Sequence, residues 1–262
     1  MVRALLIRGM LAGLLAGALG FIYAHQFGEN AIDTAIAFEA YVEYEVHHEE
    51  PEAELVSRQI QSTAGLGTGT LIYGAAFGGI FSLAFAAAYG RIGRLSARGT
   101  AAVLGVLGFI AVYLVPFLKY PPNPPSIGDP ETIQYRTVTY ALLVAVSVVV
   151  MVLCVNLQRH LTQRFGAWNA TLLAAACYVL VIAVCFAVFP SINEVPQQAL
   201  PNIIDAVTDD GVTFPPAVLW SFRIASLGLQ VVMWTTIALV FGVLAQRVLE
   251  RAEDFRLRKI GL

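Results

Sequence analysis

Six long apolar stretches punctuate the chain: Ala4–Tyr23, Ala64–Tyr89, Thr100–Leu118, Thr137–Asn156, Trp168–Phe189 and Ala217–Val243. Each is long enough to cross a bilayer as an α-helix, which takes about 20 residues at about 1.5 Å of rise per residue. A backbone in lipid must satisfy its own hydrogen bonds, so helices are what such stretches form. Charged residues make up only 13% of the chain, about half the share of a soluble domain. The expected fold is all-α: a polytopic membrane protein with six transmembrane helices in a single domain over 1–262, with external loops at about 25–62, 119–136 and 190–216.

The basic residues set the orientation. Arg3 and Arg8 open the first stretch, Arg91, Arg94 and Arg98 separate the second from the third, and Arg159 and Arg164 separate the fourth from the fifth. Arg247, Arg251, Arg256, Arg258 and Lys259 follow the sixth, so twelve of the 16 basic residues fall on one side. Excess Lys and Arg mark cytoplasmic loops, which places both termini in the cytoplasm. Of the 18 acids, only Glu250, Glu253 and Asp254 share that side. The first stretch is expected to remain as a helix rather than be cleaved as a secretory signal, because it is long and no clean small-x-small site follows it.

The external loops carry the polarity. The loop between the first two stretches holds nine acids and three of the four histidines. Its part Ala31–His48 is expected to be an acidic outer helix, on which Glu39, Glu43 and His47 share one face at i, i+4, i+8. With His25, these residues are candidate metal ligands, since imidazole and carboxylate together suit borderline divalent cations. The same acids also read as a solvated face. Pro51, Glu52 and Glu54 look like a first helical turn running through Ile60 into the second stretch. The loop KYPPNPPSIGDPETIQYRT cannot be helical through its prolines, and is expected to be stiff and extended, turning at Gly128-Asp129. Asp129 is then expected to cap a helix opening at Pro130.

Within the stretches, Gly9, Gly13 and Gly17 recur every four residues in the first, and Gly74 and Gly78 do so in the second. Small residues at that spacing let backbones approach, so these two helices are expected to pack together. Gly105 lies outside such a pattern and is expected to matter less. The start of the second helix, with Gln61, Ser62, Thr63, Thr68 and Thr70 among glycines, has the polar, interrupted character of transporter helices near a site. No Asp or Glu lies deep in any stretch, and Arg223 is the one charge expected inside; Asp129, Glu131 or a last-loop carboxylate would pair with it. His160 reads as an interface residue among arginines. Cys154, Cys177 and Cys185 form no C-x-x-C pair and read as small core residues. No nucleotide, hydrolase or nucleic-acid motif is present, so the chain is not read as an enzyme, and no tightly bound cofactor is expected.

The segments AIDTAIAFE (31–39), VSRQIQSTAGLGTG (56–69), YGAAFGG (73–79), YGR (89–91) and above all VPFLKYPPNPPSIGDPETIQYRT (115–137) resemble the CbtA family. The resemblance is strong over roughly the first 140 residues and rests on helix layout beyond. It implies membrane transport of cobalt for corrin synthesis, with a small single-span, histidine-bearing partner, CbtB. Glu39, Arg58, Gln61, Lys119, Asn123, Asp129, Glu131 and Arg136 fall in its motifs. The sequence reading is thus a transporter of a divalent transition-metal cation, most simply Co(II). External carboxylates and histidines would capture the ion, and Gln61, Lys119, Asn123, Asp129, Glu131 and Arg136 would form its path or gate. The alternative is a non-transporting scaffold or metal-delivery receptor that docks a partner through the proline-rich loop.

Overall fold

The computed structural model describes residues 2–44, 48, 55–93, 95–125, 127–128, 130–192, 195 and 214–259. Among the described residues there is no strand. Helix α1 spans Val2–Phe27, α2 Glu29–Val42, α3 Arg58–Ala88, α4 Ala97–Lys119, α5 Ile133–Val188 and α6 Pro216–Lys259. Five of these, all but α2, are long and apolar enough to cross a membrane.

Local chemistry sets the boundaries. The α1 helix ends at Gly28, whose N–H bonds the Ala24 carbonyl at 2.7 Å, and α2 follows with Glu29 at its positive end. Of the expected Ala31–His48 helix, the part through Val42 is α-helical; Glu45, Val46 and His47 lie outside the described residues. The second spanning helix does not run in from Pro51. Ser57 is extended (φ −59°, ψ 143°) and α3 starts at Arg58, while Pro51–Glu54 lies outside the described residues. Its first turns, Gln61–Gly65, are a wide π-helix. In α4, the Ser96 hydroxyl caps the Gly99 N–H at 3.2 Å. A second π segment, Phe109–Leu114, precedes Pro116. The proline has no N–H to give the turn before it, and a widened turn absorbs that loss.

The fourth and fifth apolar stretches are joined differently from expectation. They are two helices that follow one another without a loop over the 56 residues of Ile133–Val188, named here as one element, α5, and broken at Gly166 (φ 76°, ψ 163°). A straight helix of that length would run about 84 Å, nearly three times the hydrocarbon thickness. Instead the Ser147 hydroxyl meets the Tyr178 hydroxyl at 2.8 Å and Gln158 Nε2 reaches Thr171 Oγ1 at 3.4 Å. The chain therefore doubles back at Gly166, in a backbone region that essentially only glycine occupies.

The core lies among α1, α3, α4 and α6. Leu5, Ala12, Ala16, Phe81, Phe85, Ala101, Trp234 and Phe241 are buried there. Phe81 and Phe85 meet Phe241 edge-on, with ring centroids 5.7 and 5.0 Å away, a geometry worth about 0.5–1.5 kcal/mol per pair beyond area burial. The glycine seam is as the spacing implied. A Cβ on Gly9, Gly13 or Gly17 would collide with the carbonyl oxygens of Gly78, Gly74 and Thr70, respectively. Gly105 is packed as well, contrary to expectation: a Cβ there would stand 2.5 Å from the Ala238 methyl. Helix α5 stands apart and touches the π segment and end of α4, where Val115, Cys154, Tyr178 and Ile182 form a small cluster. The three cysteines are free.

Candidate functional site

The ends of the helices gather at one face of the bundle, here the loop face. Four contacts tie it together. Arg58 binds the carboxylates of Glu29 and Asp33, the latter at 2.8 Å, clamping α2 to the start of α3. Lys119 Nζ donates to the Phe186 carbonyl at 2.8 Å, a cation satisfying a helix C-terminus. The Tyr120 hydroxyl donates to the Pro190 carbonyl at 2.7 Å. Burial, with the nearby Tyr135 phenol adding, pushes Tyr120 above the usual phenol range. Arg223 donates from Nη2 to Asn123 Oδ1 at 3.0 Å and from Nε to the Pro122 carbonyl at 3.3 Å. Among the described residues its acceptors are an amide and a backbone carbonyl, which the proline-rich segment holds in fixed positions; Asp129 and the last-loop carboxylates expected beside Arg223 lie outside the described residues.

Over this layer lies α2. Its Ala31, Ala35 and Phe38 are buried at helical spacing, and Phe38 meets Phe214 edge-on at 5.3 Å. Ile127 of the proline-rich loop completes the cluster, so segments from all three loops share one small core. A continuous acidic face was the dominant sequence signal, and the apolar stripe behind it was overlooked.

Beside the cluster, a cavity of about 470 Å³ opens between the proline-rich segment and the start of α5. Pro121, Pro122 and Asn123 wall one side, with Arg136, Thr137 and Tyr140 opposite. The Arg136 guanidinium lies against Gly128 (φ 138°), where a Cβ would come within 2.6 Å of Nη1. Glycine there serves both the turn and the close approach of the cation.

The sequence-predicted residues divide accordingly. Asn123 and Arg136 line the cavity, and Lys119 anchors the chain just before it. Glu131 sits exposed in a 3-10 turn, Pro130–Thr132, ahead of α5; Asp129, its expected cap, lies outside the described residues. Gln61 is elsewhere, its amide donating to the Val56 carbonyl at 2.7 Å. The hydroxyls of Ser62 and Thr63 likewise bond the Gln59 carbonyl of their own helix. His25 stacks on Phe21, and its Nδ1 lies 3.1 Å from the Ser62 carbonyl. Glu39 and Glu43 are half-buried on or just beyond α2, and His47 lies outside the described residues. Among the described residues, no three His, Cys, Asp or Glu side chains come together. His160 Nδ1 lies 2.8 Å from the Asn156 carbonyl of its own helix.

One polar group of residues was missed. Tyr140 of α5, on the cavity wall, lies within electrostatic reach of Tyr113 in the π segment of α4 and of Tyr73 in α3. Tyr73 lies beside Gln230 of α6, and Trp234 follows one turn later. The signal was present as phenols, an amide and an indole inside apolar stretches. Only the fold shows that four different helices contribute them to one place.

No curated protein and no solved structure matches the chain. The sequence profile of one family, described as "Probable cobalt transporter subunit (CbtA)", matches residues 2–246 and so extends well past the first 140. With its apolar helices and the proline-rich segment that walls the cavity, the chain is a membrane protein and belongs to the CbtA family of probable cobalt transporter subunits.

Proposed function

We propose that this chain is the membrane-embedded subunit of a cobalt uptake system in the inner (plasma) membrane, crossing six times with both termini cytoplasmic. The reversal at Gly166 supports six crossings, because it splits the longest helix into two bilayer-length halves. The twelve-to-four division of basic residues supports the orientation, with the loop face outside.

The observation that carries the transport reading is the cavity on the loop face. One of its lining residues, Tyr140, lies within electrostatic reach of phenols contributed by α3 and α4. Carboxylates such as Glu39 and Glu43, with His25 and His47, act by concentrating the cation near the cavity, through charge rather than a coordination cage. Asn123 and Arg136 line the way in, Lys119 and Glu131 flank those segments, Gln61 stands at the start of α3, and Asp129, outside the described residues, is assigned to the gate on its sequence position. A small single-span, histidine-bearing subunit of the CbtB kind is the partner.

Cobalt accumulation in cells producing this chain, alone and with candidate single-span partners, tests the reading. Accumulation several-fold above background is expected in at least one pairing. No gain in any pairing favours the docking scaffold. Cysteines introduced at Ser96 and Asp209 should label from opposite sides; labelling of both from outside ends the six-span topology. Replacing His25, Glu43 and His47 together should abolish Co(II) binding by the outer loop. Unchanged binding would remove that loop from the capture step.

A further inference from the structure

The polar residues inside the bundle constrain the form in which metal passes. Tyr113 lies six residues inward from Lys119, about 9 Å of helix from the loop face. Its hydroxyl is buried and has no hydrogen-bond partner, and the same is true of Trp234 Nε1 on a side chain only 6% exposed. A buried polar atom without a hydrogen bond is costly and rare, so two within one neighbourhood call for an explanation. The neighbourhood is continuous. Trp234 packs edge-on against Phe77 at 4.8 Å, and Phe77 stacks at 5.6 Å on Tyr73, which neighbours Gln230. Tyr140 joins this group to the cavity.

The chemistry of these groups narrows the ligand. An indole N–H only donates, a phenol does both, and an amide offers one acceptor and two donors. None is a carboxylate, imidazole or thiolate, and no Asp, Glu or His lies within α3, the 133–188 helix or residues 216–249 of α6 except His160. Neutral groups of this kind cannot replace the hydration shell of a bare dication, whose desolvation is the dominant cost at low dielectric. They can hydrogen-bond oxygen atoms that are already coordinated to a metal. The approach carries Arg136, Lys119 and Arg223, a cationic setting that disfavours a naked positive charge and tolerates a neutral or anionic complex.

We propose that Tyr73, Tyr113, Tyr140, Gln230 and Trp234 form an intramembrane site for an oxygen-ligated metal complex, whose ligands travel with the metal and accept hydrogen bonds from the indole and phenols. This rests on the transport reading for its physiological purpose, although binding at the site is measurable without transport. The shell is a polycarboxylate chelator, whose carboxylate oxygens keep lone pairs free to accept and cancel the metal's charge; water bound to the metal has chiefly protons to offer and leaves the double positive charge in place.

The test uses the full chain in lipid nanodiscs with Trp168→Phe and Trp220→Phe, which leaves Trp234 as the single tryptophan. Co(II) quenches indole fluorescence at short range. Titration with Co(II) in excess citrate should give saturable quenching of Trp234, and Co(II) chloride should not. Adding Tyr113→Phe and Gln230→Leu, which remove polar atoms with little change in volume, should weaken the half-saturation point at least tenfold. Saturation with the chloride alone overturns the chelate site. Quenching that never saturates with either probe, or that is unchanged by the two substitutions, overturns the site. Saturable quenching in a protein that accumulates no cobalt would instead sink the transport reading and leave the site standing.

Discussion

The α1–α3 seam and the α5 hairpin are both pairs of antiparallel apolar segments, yet they are held in opposite ways. In the seam, glycines of one helix face backbone of the other, with Gly9 opposite Gly78, Gly13 opposite Gly74 and Gly17 opposite Thr70. In the hairpin, ordinary side chains keep the halves apart, and hydroxyl and amide pairs such as Ser147–Tyr178 and Gln158–Thr171 join them. Lipid tails are as apolar as leucine, so neither pair is held by the hydrophobic effect; close van der Waals packing binds the first and interhelical hydrogen bonds bind the second. The lesson concerns placement. The seam lies in the four-helix core, whereas the hairpin is attached along one edge, beside the cavity.

The largest expected effect comes from filling the seam. Gly13→Leu or Gly74→Leu should cost at or beyond the about 3 kcal/mol top of the usual overpacking range, because the obstacle is backbone and cannot rotate away. Folded yield and monodispersity in detergent should collapse for both, while Gly69→Leu, which has open space around it, stays near wild type. Gly105→Leu should fall between, since its neighbour is a methyl group. Equal yields for all four variants would break the comparison.

Next in size is the reversal. Gly166→Val forces a branched residue into a glycine-only backbone region, at about 1–3 kcal/mol. Because no other atom crowds this glycine, the penalty should appear as earlier thermal unfolding of the hairpin without loss of the core. An unchanged melting profile would mean the two halves do not depend on the turn.

Smaller still is the hydroxyl pair. A double-mutant cycle on Ser147→Ala and Tyr178→Phe should return a coupling of about 1 kcal/mol, near the average of hydrogen bonds between helices in a bilayer. A coupling indistinguishable from zero would leave packing at Val115, Cys154 and Ile182 as the hairpin's only adhesive. The smallest effect is expected at the Arg58 clamp, which is partly exposed. Arg58→Gln should cost about 0.2–1 kcal/mol, diminish with added salt, and raise amide hydrogen exchange in α2 while sparing α1. Equal protection of α2 in the variant would show that the Phe38–Phe214 cluster alone holds it down.

Much of this was readable from residue order, and particular residues show why. The glycine spacing of α1 and α3 encoded their contact directly, because a four-residue repeat puts small residues on one helical face. Arg223 illustrates the opposite case. A buried cation announces that it has a partner but not which one, and Asn123 was brought to it by a bend 100 residues away. The outer acids drew attention as metal ligands, whereas Glu29 and Asp33 are engaged by Arg58 across the loop.

By itself, the sequence determined that the chain is helical and membrane-embedded, that α1 and α3 pack backbone to backbone, and that the segment at 121–125 is extended. These follow from composition, short-range periodicity and ring constraints, all of which act within a few residues. Tertiary structure alone decided that α5 doubles back at a single glycine, that three loops share a core under α2, and that tyrosines of α3, α4 and α5 come within electrostatic reach of one another. Those outcomes depend on which helices become neighbours. No local pattern specifies that choice, because in lipid every apolar face is equally at home until backbone contact and polar pairing select its partner.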